Sequence, residues 1–132
     1  MLKLTKRTEY ALTALSHMQS QGEGELTTAR EISEKYSISF QLLSKILQHL
    51  SKENLIKPIQ GAKGGYKLIT DLTEISLWQF LEMMEGPLGL VDCIITSECQ
   101  KMDGCVILSP IHKINKTVQN IFMNIPISDI TN

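Results

Sequence analysis

The fold is decided by residues 28–50, which read TAREISEKYSISFQLLSKILQHL. Thr28 and Glu31 have the Ser/Thr-x-x-Glu spacing in which each side chain satisfies a free backbone N–H group of the other residue at a helix start. This spacing predicts a short helix that ends near Tyr36. After a polar Ser-Ile-Ser turn at residues 37–39, a second helix places apolar side chains on one face. These side chains are Leu42, Leu43, Ile46, Leu47 and Leu50.

Two helices joined by a short turn predict a helix-turn-helix, in which the second helix enters the major groove of DNA. The polar side chains of that helix can hydrogen-bond to base edges or phosphates. The candidates are Ser39, Gln41, Ser44, Lys45 and Gln48, with Thr28 at the start of the first helix. From these two helices alone, a polar face that only meets water remains an open alternative.

A hairpin is predicted directly after the second helix. Residues 55–60 and 66–69 read as short strands, and the glycines at 61, 64 and 65 permit a tight turn between them. Pro58 indicates an edge strand because proline lacks a backbone N–H. Such a hairpin is the wing of a winged helix, with Lys63 and Gly64 placed to contact DNA. A phosphate-binding loop is a poorer interpretation, since no helix follows the glycines.

Helices are also predicted on either side of this unit. A first helix runs from about residue 5 to about residue 19, and its basic start offers Lys6 and Arg7, with Lys3, as phosphate contacts. Ser76 and Gln79 open a further helix with capping-box spacing, and Gly86 and Pro87 end it. Its predicted inward side chains are Leu77, Phe80, Leu81 and Met84.

The last helix is predicted to begin at Ser109 and Pro110. It carries a narrow stripe of branched apolar residues at spacings of three and four. The stripe consists of Ile111, Ile114, Val118, Ile121 and Ile125. It would be exposed in a monomer, so we expect a homodimer whose two reading helices address a roughly palindromic operator. The alternative is that this helix packs back onto its own domain.

Charge is distributed unevenly along the chain. Residues 1–67 carry ten Lys and Arg against six Glu, whereas residues 68–132 carry three Lys against eight Asp and Glu. A basic first half is compatible with a nucleic-acid surface. With 132 residues and 42% hydrophobic composition, the chain fits one domain with an appendage. It has neither a membrane-span pattern nor a signal-peptide pattern, so we expect a cytoplasmic protein.

Three cysteines, Cys93, Cys99 and Cys105, follow one another at six-residue intervals, and the chain has no other. An odd number of cysteines in a cytoplasmic chain argues against a disulfide framework. Thiolates on one short segment can converge on a metal or redox centre, and soft thiolates select iron-sulfur clusters or zinc. An iron centre would need a fourth ligand.

Together these motifs resemble the Rrf2 family of winged-helix regulators. The resemblance is carried by residues 5–11 (TKRTEYA), the turn at residues 38–39, the wing at residues 61–66 and the cysteine spacing before a long helix. It covers residues 2–130 and looks most like the cluster-bearing branch, including regulators of the Suf cluster-assembly system. It implies a dimeric repressor or activator whose DNA affinity depends on an iron-sulfur cluster.

The resemblance leaves the fourth ligand open. Some relatives use a histidine three residues after the last cysteine as the fourth ligand. This chain has Leu108 at that position, so that ligand cannot be carried over. A nitric-oxide-sensitive branch uses a carboxylate near the N-terminus of the other subunit, and the matching position is Glu9. His112 is the second candidate. Some relatives also carry an arginine at the start of the wing, where this chain has Gln60.

The sequence therefore predicts a mostly α protein with a small β-hairpin wing, in three parts. Residues 1–86 form the winged helix-turn-helix, residues 87–108 the cluster-binding segment, and residues 109–132 the dimerisation helix and tail. One rival is a zinc or thiol switch on the same scaffold; another is an iron-sulfur redox carrier. Without a Ser/His/Asp set, a nucleotide loop or paired carboxylates, we expect neither an enzyme nor a small-molecule substrate.

Overall fold

Three helices build the helix-turn-helix part of the computed structural model, which describes residues 4–22, 24–88 and 108–131. They are α1 (Lys6–Gln21), α2 (Ala29–Tyr36) and α3 (Phe40–Lys52). The turn between α2 and α3 forms because Ser37 adopts a left-handed conformation with φ of 55° and stops α2. Ile38 then turns inward and is buried. The predicted helix-turn-helix is confirmed.

The capping box predicted at the start of α2 is only half formed. The Thr28 side chain accepts a hydrogen bond from the backbone N–H of Glu31, as expected. The Glu31 carboxylate does not return to Thr28; it bonds to His17 and Gln21 on α1 instead. A charged group between two helices gains more from these tertiary partners than from one exposed backbone N–H.

The wing is a three-stranded antiparallel sheet in the order β1-β3-β2. The strands are β1 (Leu26–Thr27), β2 (Ile56–Ile59) and β3 (Gly65–Leu68). In the hairpin, Ile56 lies opposite Leu68 and Ile59 opposite Gly65. Pro58 is therefore on an edge strand, as predicted. Strand β1 was not predicted, because a two-residue strand has no hydrophobic periodicity.

The core lies where α1, α3, the base of the wing and α4 (Leu77–Glu85) meet. The α3 side chains that are completely buried are Leu43, Ile46, Leu47 and Leu50. Leu42, which the sequence placed on the same face, is 37% exposed. At 100° per residue Leu42 falls at the edge of the apolar face, where the described part of the chain covers it only in part.

Helix α4 begins as predicted. Ser76 and Gln79 form both hydrogen bonds of a capping box, and Gly86 ends the helix. A short 3-10 helix at Leu72–Glu74 precedes it. The inward side chains Phe80, Leu81 and Met84 are buried, while Leu77 is only half-buried.

Helix α5 extends from Leu108 to Met123. Ser109 is therefore inside its first turn and not the residue before it, and Ile125 lies beyond its end. Trp78 of α4 packs edge-on against Phe122 of α5 with ring centroids 6.3 Å apart. Ile114 and Ile121 are each 53% exposed, so the intrachain contact leaves much of the predicted stripe uncovered. No helix in the described ranges combines the length and hydropathy of a membrane span.

After α5 the chain returns to the domain core. The backbone N–H of Leu77 donates to the carbonyl of Ile125, and the N–H of Ile127 donates to that of Ile75. Ile127 is completely buried. Helix α6 (Ser128–Thr131) then packs on α1, where the Ser16 hydroxyl donates to the Thr131 carbonyl at 2.7 Å. The tail thus contributes to the core, which its sequence alone did not indicate.

Candidate functional site

The solvent face of α3 presents the polar residues selected from the sequence. Gln41, Lys45 and Gln48 are exposed, and Ser44 is half-buried beside them. The opposite face of the helix is held by completely buried leucine and isoleucine side chains, so its rotation about its axis is set by the core. Amide and ammonium groups in this arrangement can donate and accept hydrogen bonds at base edges and phosphates.

Thr28 and Ser39 occupy the caps of α2 and α3. The Thr28 oxygen accepts from the Glu31 N–H at 3.1 Å, and the Ser39 oxygen accepts from the Leu42 N–H at 3.5 Å. Both residues are exposed, and each hydroxyl keeps a proton to donate. The two helix starts also carry positive dipole ends, which favour a phosphate.

The tip of the wing depends on Gly64. Its N–H donates to the Gly61 carbonyl at 3.0 Å and closes the turn that displays the exposed Lys63. A Cβ at Gly64 would overlap the carbonyl oxygen of Ile59 and lie 2.9 Å from that of Gly61. Only glycine fits this turn, so Gly64 shapes the wing and Lys63 supplies its charge.

Two further residues, one at the start of α3 and one on α2, were not predicted from the sequence. Phe40, the first residue of the helix, is 49% exposed. The Arg30 guanidinium of α2 lies over its ring, 5.9 Å from the centroid. Phe40 directly follows the cap and lies at the edge of the buried stripe of α3, about 20° from Leu47, so its spacing in the sequence did not signal its exposure.

The first turn of α1 holds three of the other candidates. Arg7 Nη2 lies 2.6 Å from Nδ1 of His49 in the last turn of α3, so Arg7 contacts α3 within its own chain. Lys6 pairs with Glu9 at 3.2 Å, and both side chains are largely in solvent. The turn therefore carries a basic surface and an accessible carboxylate.

The same turn is joined to the end of α4. Glu85 Oε1 accepts hydrogen bonds from the Thr5 N–H at 3.1 Å and from the Thr8 hydroxyl at 2.8 Å. Partial burial raises the pKa of Glu85, but the hydrogen bonds from Thr5 and Thr8 lower it further, leaving it below its ordinary value. Glu85, which directly precedes Gly86 and the cysteine segment, thus joins the end of α4 to the start of α1.

Because of these hydrogen bonds, the free energy of unfolding should depend on pH in the acid range. Because the pKa of Glu85 is lower in the folded chain, its stabilisation is fully present above the ordinary glutamate value of 4.5 and is lost as pH falls through the folded-state pKa. At pH 6 we expect the wild type to have a higher melting temperature than Glu85→Gln. The two melting temperatures should converge as the pH falls below 4.5. Glu34→Gln, which changes an exposed carboxylate of α2, is the control. An equal gap at every pH would contradict the assignment.

A buried polar network connects α1 with α2 and β1. His17 of α1 is 4% exposed; its Nε2 lies 2.6 Å from the Glu31 carboxylate and its Nδ1 lies 3.1 Å from the Tyr36 hydroxyl. Gln21 donates to Glu31 and accepts from Thr27 of β1. The hydrogen bond from His17 lowers the pKa of Glu31. The network fixes α2 and β1 on α1, and no periodic pattern of residues indicated it.

Cys93, Cys99 and Cys105 lie outside the described residues. Within the parts of the chain that the structure describes, no three His, Cys, Asp or Glu side chains converge as a metal site would require. Of the fourth-ligand candidates, Glu9 is 45% exposed on α1 and His112 is exposed near the start of α5. Both are therefore accessible to a second subunit or to a neighbouring segment.

Comparisons with known proteins agree with this arrangement. The chain is 32% identical over 123 residues to the HTH-type transcriptional regulator NsrR of Oceanobacillus iheyensis, covering 92% of this chain and 82% of that protein. Its fold matches CymR, the global cysteine regulator of B. subtilis, with a TM-score of 0.75, 22% identity and coverage of 99% and 97%. It also matches T. potens IscR with a TM-score of 0.68, 24% identity and coverage of 98% and 85%.

A family model described as Rrf2, iron-dependent transcriptional regulator, matches residues 4–132. This range contains the helix-turn-helix, the wing, the cysteine segment and the last two helices. The match therefore extends well beyond the DNA-reading unit. The chain belongs to the Rrf2 family of transcriptional regulators.

Proposed function

We propose that this regulator binds operator DNA by placing the start of α3 in the major groove, with the wing on the flanking backbone. The observation that carries this proposal is the exposed polar face of α3, which is presented opposite a completely buried face. Gln41, Lys45 and Gln48 would contact base edges, while Lys63 would contact phosphate. Lys6 and Arg7 add positive charge beside α3. The site would bind DNA without catalysing a reaction.

The proposed active form is a homodimer held by α5. Ile114 and Ile121 expose apolar surface on one side of this helix, which is costly in water and is covered when two copies pair. Two-fold symmetry would then present two reading helices to two half-sites. A roughly palindromic operator follows from that symmetry. Because its partner is chromosomal DNA, we place the protein in the cytoplasm.

We further propose that Cys93, Cys99 and Cys105 hold an iron-sulfur cluster, with Glu9 of the partner subunit or His112 as the fourth ligand. The donor set fits, because three thiolates and one oxygen or nitrogen donor are suitable for such a cluster. The description of the family as iron-dependent supports the assignment. When bound, the cluster would supply a labile centre that is changed by an oxidant or by nitric oxide, or lost when iron is scarce.

The residues around the first turn of α1 suggest how that link would reach DNA. Glu85, at the end of α4, holds Thr5 and Thr8, and Arg7 of the same turn contacts His49 of α3. A shift of the segment after Glu85 would therefore move the start of α1 and, through Arg7, the reading helix. Such a shift would change the separation of the two reading heads and hence operator affinity.

Two alternatives keep the same scaffold. A zinc or thiol switch would use the three thiols without iron. It is kept as an alternative because the fold also matches CymR, which is described as a cysteine regulator. A redox carrier would use a cluster without DNA. Metal and sulfide content separates the first alternative from the proposal, and DNA binding separates the second.

The test is to purify the protein without oxygen and measure visible absorption, iron and acid-labile sulfide per subunit, together with binding to genomic fragments. We expect a coloured protein with both elements that binds specific fragments with an affinity that changes when the cluster is lost. Cys99→Ala should lose colour, iron and sulfide. Glu9→Ala and His112→Ala serve as controls for each other, because only the ligand's removal should shift the spectrum.

Two outcomes would contradict the proposal separately. A colourless wild type, even after reconstitution with iron and sulfide, would overturn the cluster and leave zinc or thiol chemistry. Failure of both the cluster-loaded and cluster-free protein to bind any genomic fragment would overturn the regulator and leave the redox carrier.

A further inference from the structure

Phe40 is an aromatic side chain displayed where a DNA-reading helix would meet bases. It is the first residue of α3 and remains 49% exposed, although this helix buries four other apolar side chains completely. Burial of a phenylalanine side chain normally stabilises the folded state, so the folded chain forgoes a stabilisation that α3 obtains elsewhere. The exposed ring is therefore available to an occupant outside the chain.

Helix geometry places Phe40 beside the polar reading face. With 100° between successive residues, Phe40 lies about 40° from Ser44 and about 100° from Gln41. The buried stripe of α3 lies on the other side of Phe40. The ring therefore borders the polar side chains without interrupting them, and any base that contacts Gln41 or Ser44 would bring its neighbour close to Phe40.

The positive charge beside Phe40 favours nucleic acid over an apolar protein partner. The guanidinium of Arg30 lies over one face of the ring, 5.9 Å from the centroid. A partner protein covering this ring would have to desolvate that cation. A polyanion would pair with it while leaving the free edge of the ring available.

Within the major groove, the one apolar group on a base edge is the 5-methyl group of thymine. We propose that Phe40 reads this methyl group in each half-site, while Arg30 contacts the adjoining phosphate. This inference extends the proposed DNA-binding function by adding a sequence-specific apolar contact. It predicts that a thymine near the positions read by Gln41 and Ser44 is recognised through its methyl group.

The test compares thymine with deoxyuridine, which differs only by that methyl group. A duplex is first selected from a random pool by the wild-type protein, and each thymine is then replaced in turn; dissociation constants come from fluorescence anisotropy at one fixed salt concentration. At one position per half-site we expect deoxyuridine to weaken wild-type binding about four-fold, the equivalent of about 0.8 kcal/mol for a buried methyl-sized group.

The variants assign that effect to one side chain. Phe40→Ala should weaken binding to the thymine duplex about four-fold and bind both duplexes equally. Ile69→Ala removes an equally exposed side chain, 49% accessible, at the base of the wing, and should keep the four-fold discrimination. Arg30→Ala should also keep it, while reducing the dependence of binding on salt by about one phosphate contact.

Three results would overturn the inference. Wild-type binding that no deoxyuridine weakens means that no methyl group is read. Discrimination that persists in Phe40→Ala means that another side chain, such as the partly exposed Leu42, reads it. If the wild type selects no duplex from the pool, the proposed DNA-binding function itself fails, an outcome distinct from binding without discrimination.

Discussion

Replacement of Ile127 by alanine is expected to lower the free energy of unfolding by about 2–5 kcal/mol. Ile127 has no solvent exposure and belongs to the main core, although it lies only five residues from the end of the chain. Removing three methyl or methylene carbons there leaves a cavity that the surrounding elements can only partly fill. Urea unfolding followed by circular dichroism would measure the loss, and the thermal midpoint should fall by roughly 10 °C.

Ile130→Ala is the matched control. The same substitution three residues later affects a side chain that is 45% exposed, in the short helix α6 that follows Ile127. We expect a change within about 0.5 kcal/mol. If the two variants unfolded at the same urea concentration, the C-terminal tail would not belong to the cooperative core.

Replacement of Gly64 by alanine is expected to disrupt the wing and weaken operator binding on the order of ten-fold, because the wing would no longer position its phosphate contact. The added Cβ would overlap the Ile59 carbonyl oxygen and approach that of Gly61, so the backbone of the turn must move. Such overpacking costs about 1–3 kcal/mol. Thermal melting and fluorescence anisotropy on a selected duplex would measure the two effects.

Lys63→Ala separates the shape of the wing from its charge. Lys63 is exposed at the neighbouring position, so its removal should leave the melting temperature unchanged and reduce the salt dependence of binding by about one phosphate contact. Gly64→Ala should change both melting and affinity. Wild-type affinity in Gly64→Ala would show that the wing plays no part in binding.

Local signals explain most of what could be predicted. The starts of α2, α3 and α4 are set by Thr28, Ser39 and Ser76, each of which caps the N–H group of a residue three positions along. The hairpin follows from its glycines and Pro58. These features depend on neighbours within one or two turns, which is why spacing in the sequence was sufficient.

Predictions failed where a distant partner competed with a local one. Glu31 was expected to complete a capping box, yet it pairs with His17, fourteen residues away. Leu42 was assigned to the core from its helical spacing, but its side chain is 37% exposed at the edge of the apolar face. For the candidate site, the polar residues of α3 and the wing were predicted from the sequence, and the structure leaves them exposed or half-buried. The Arg30 and Phe40 pair was not predicted, because its members lie on different helices.

By itself, the sequence determined the helix-turn-helix, the wing, the family and the cysteine spacing, because each is a pattern of residues close together in the chain. Only the tertiary structure decided that Ile127 completes the core, that Glu85 holds Thr8 across 77 positions, and that Arg7 contacts His49. These contacts join single residues from separate elements. They leave no repeating pattern, because the free energy that forms them is gained only when the whole chain has folded.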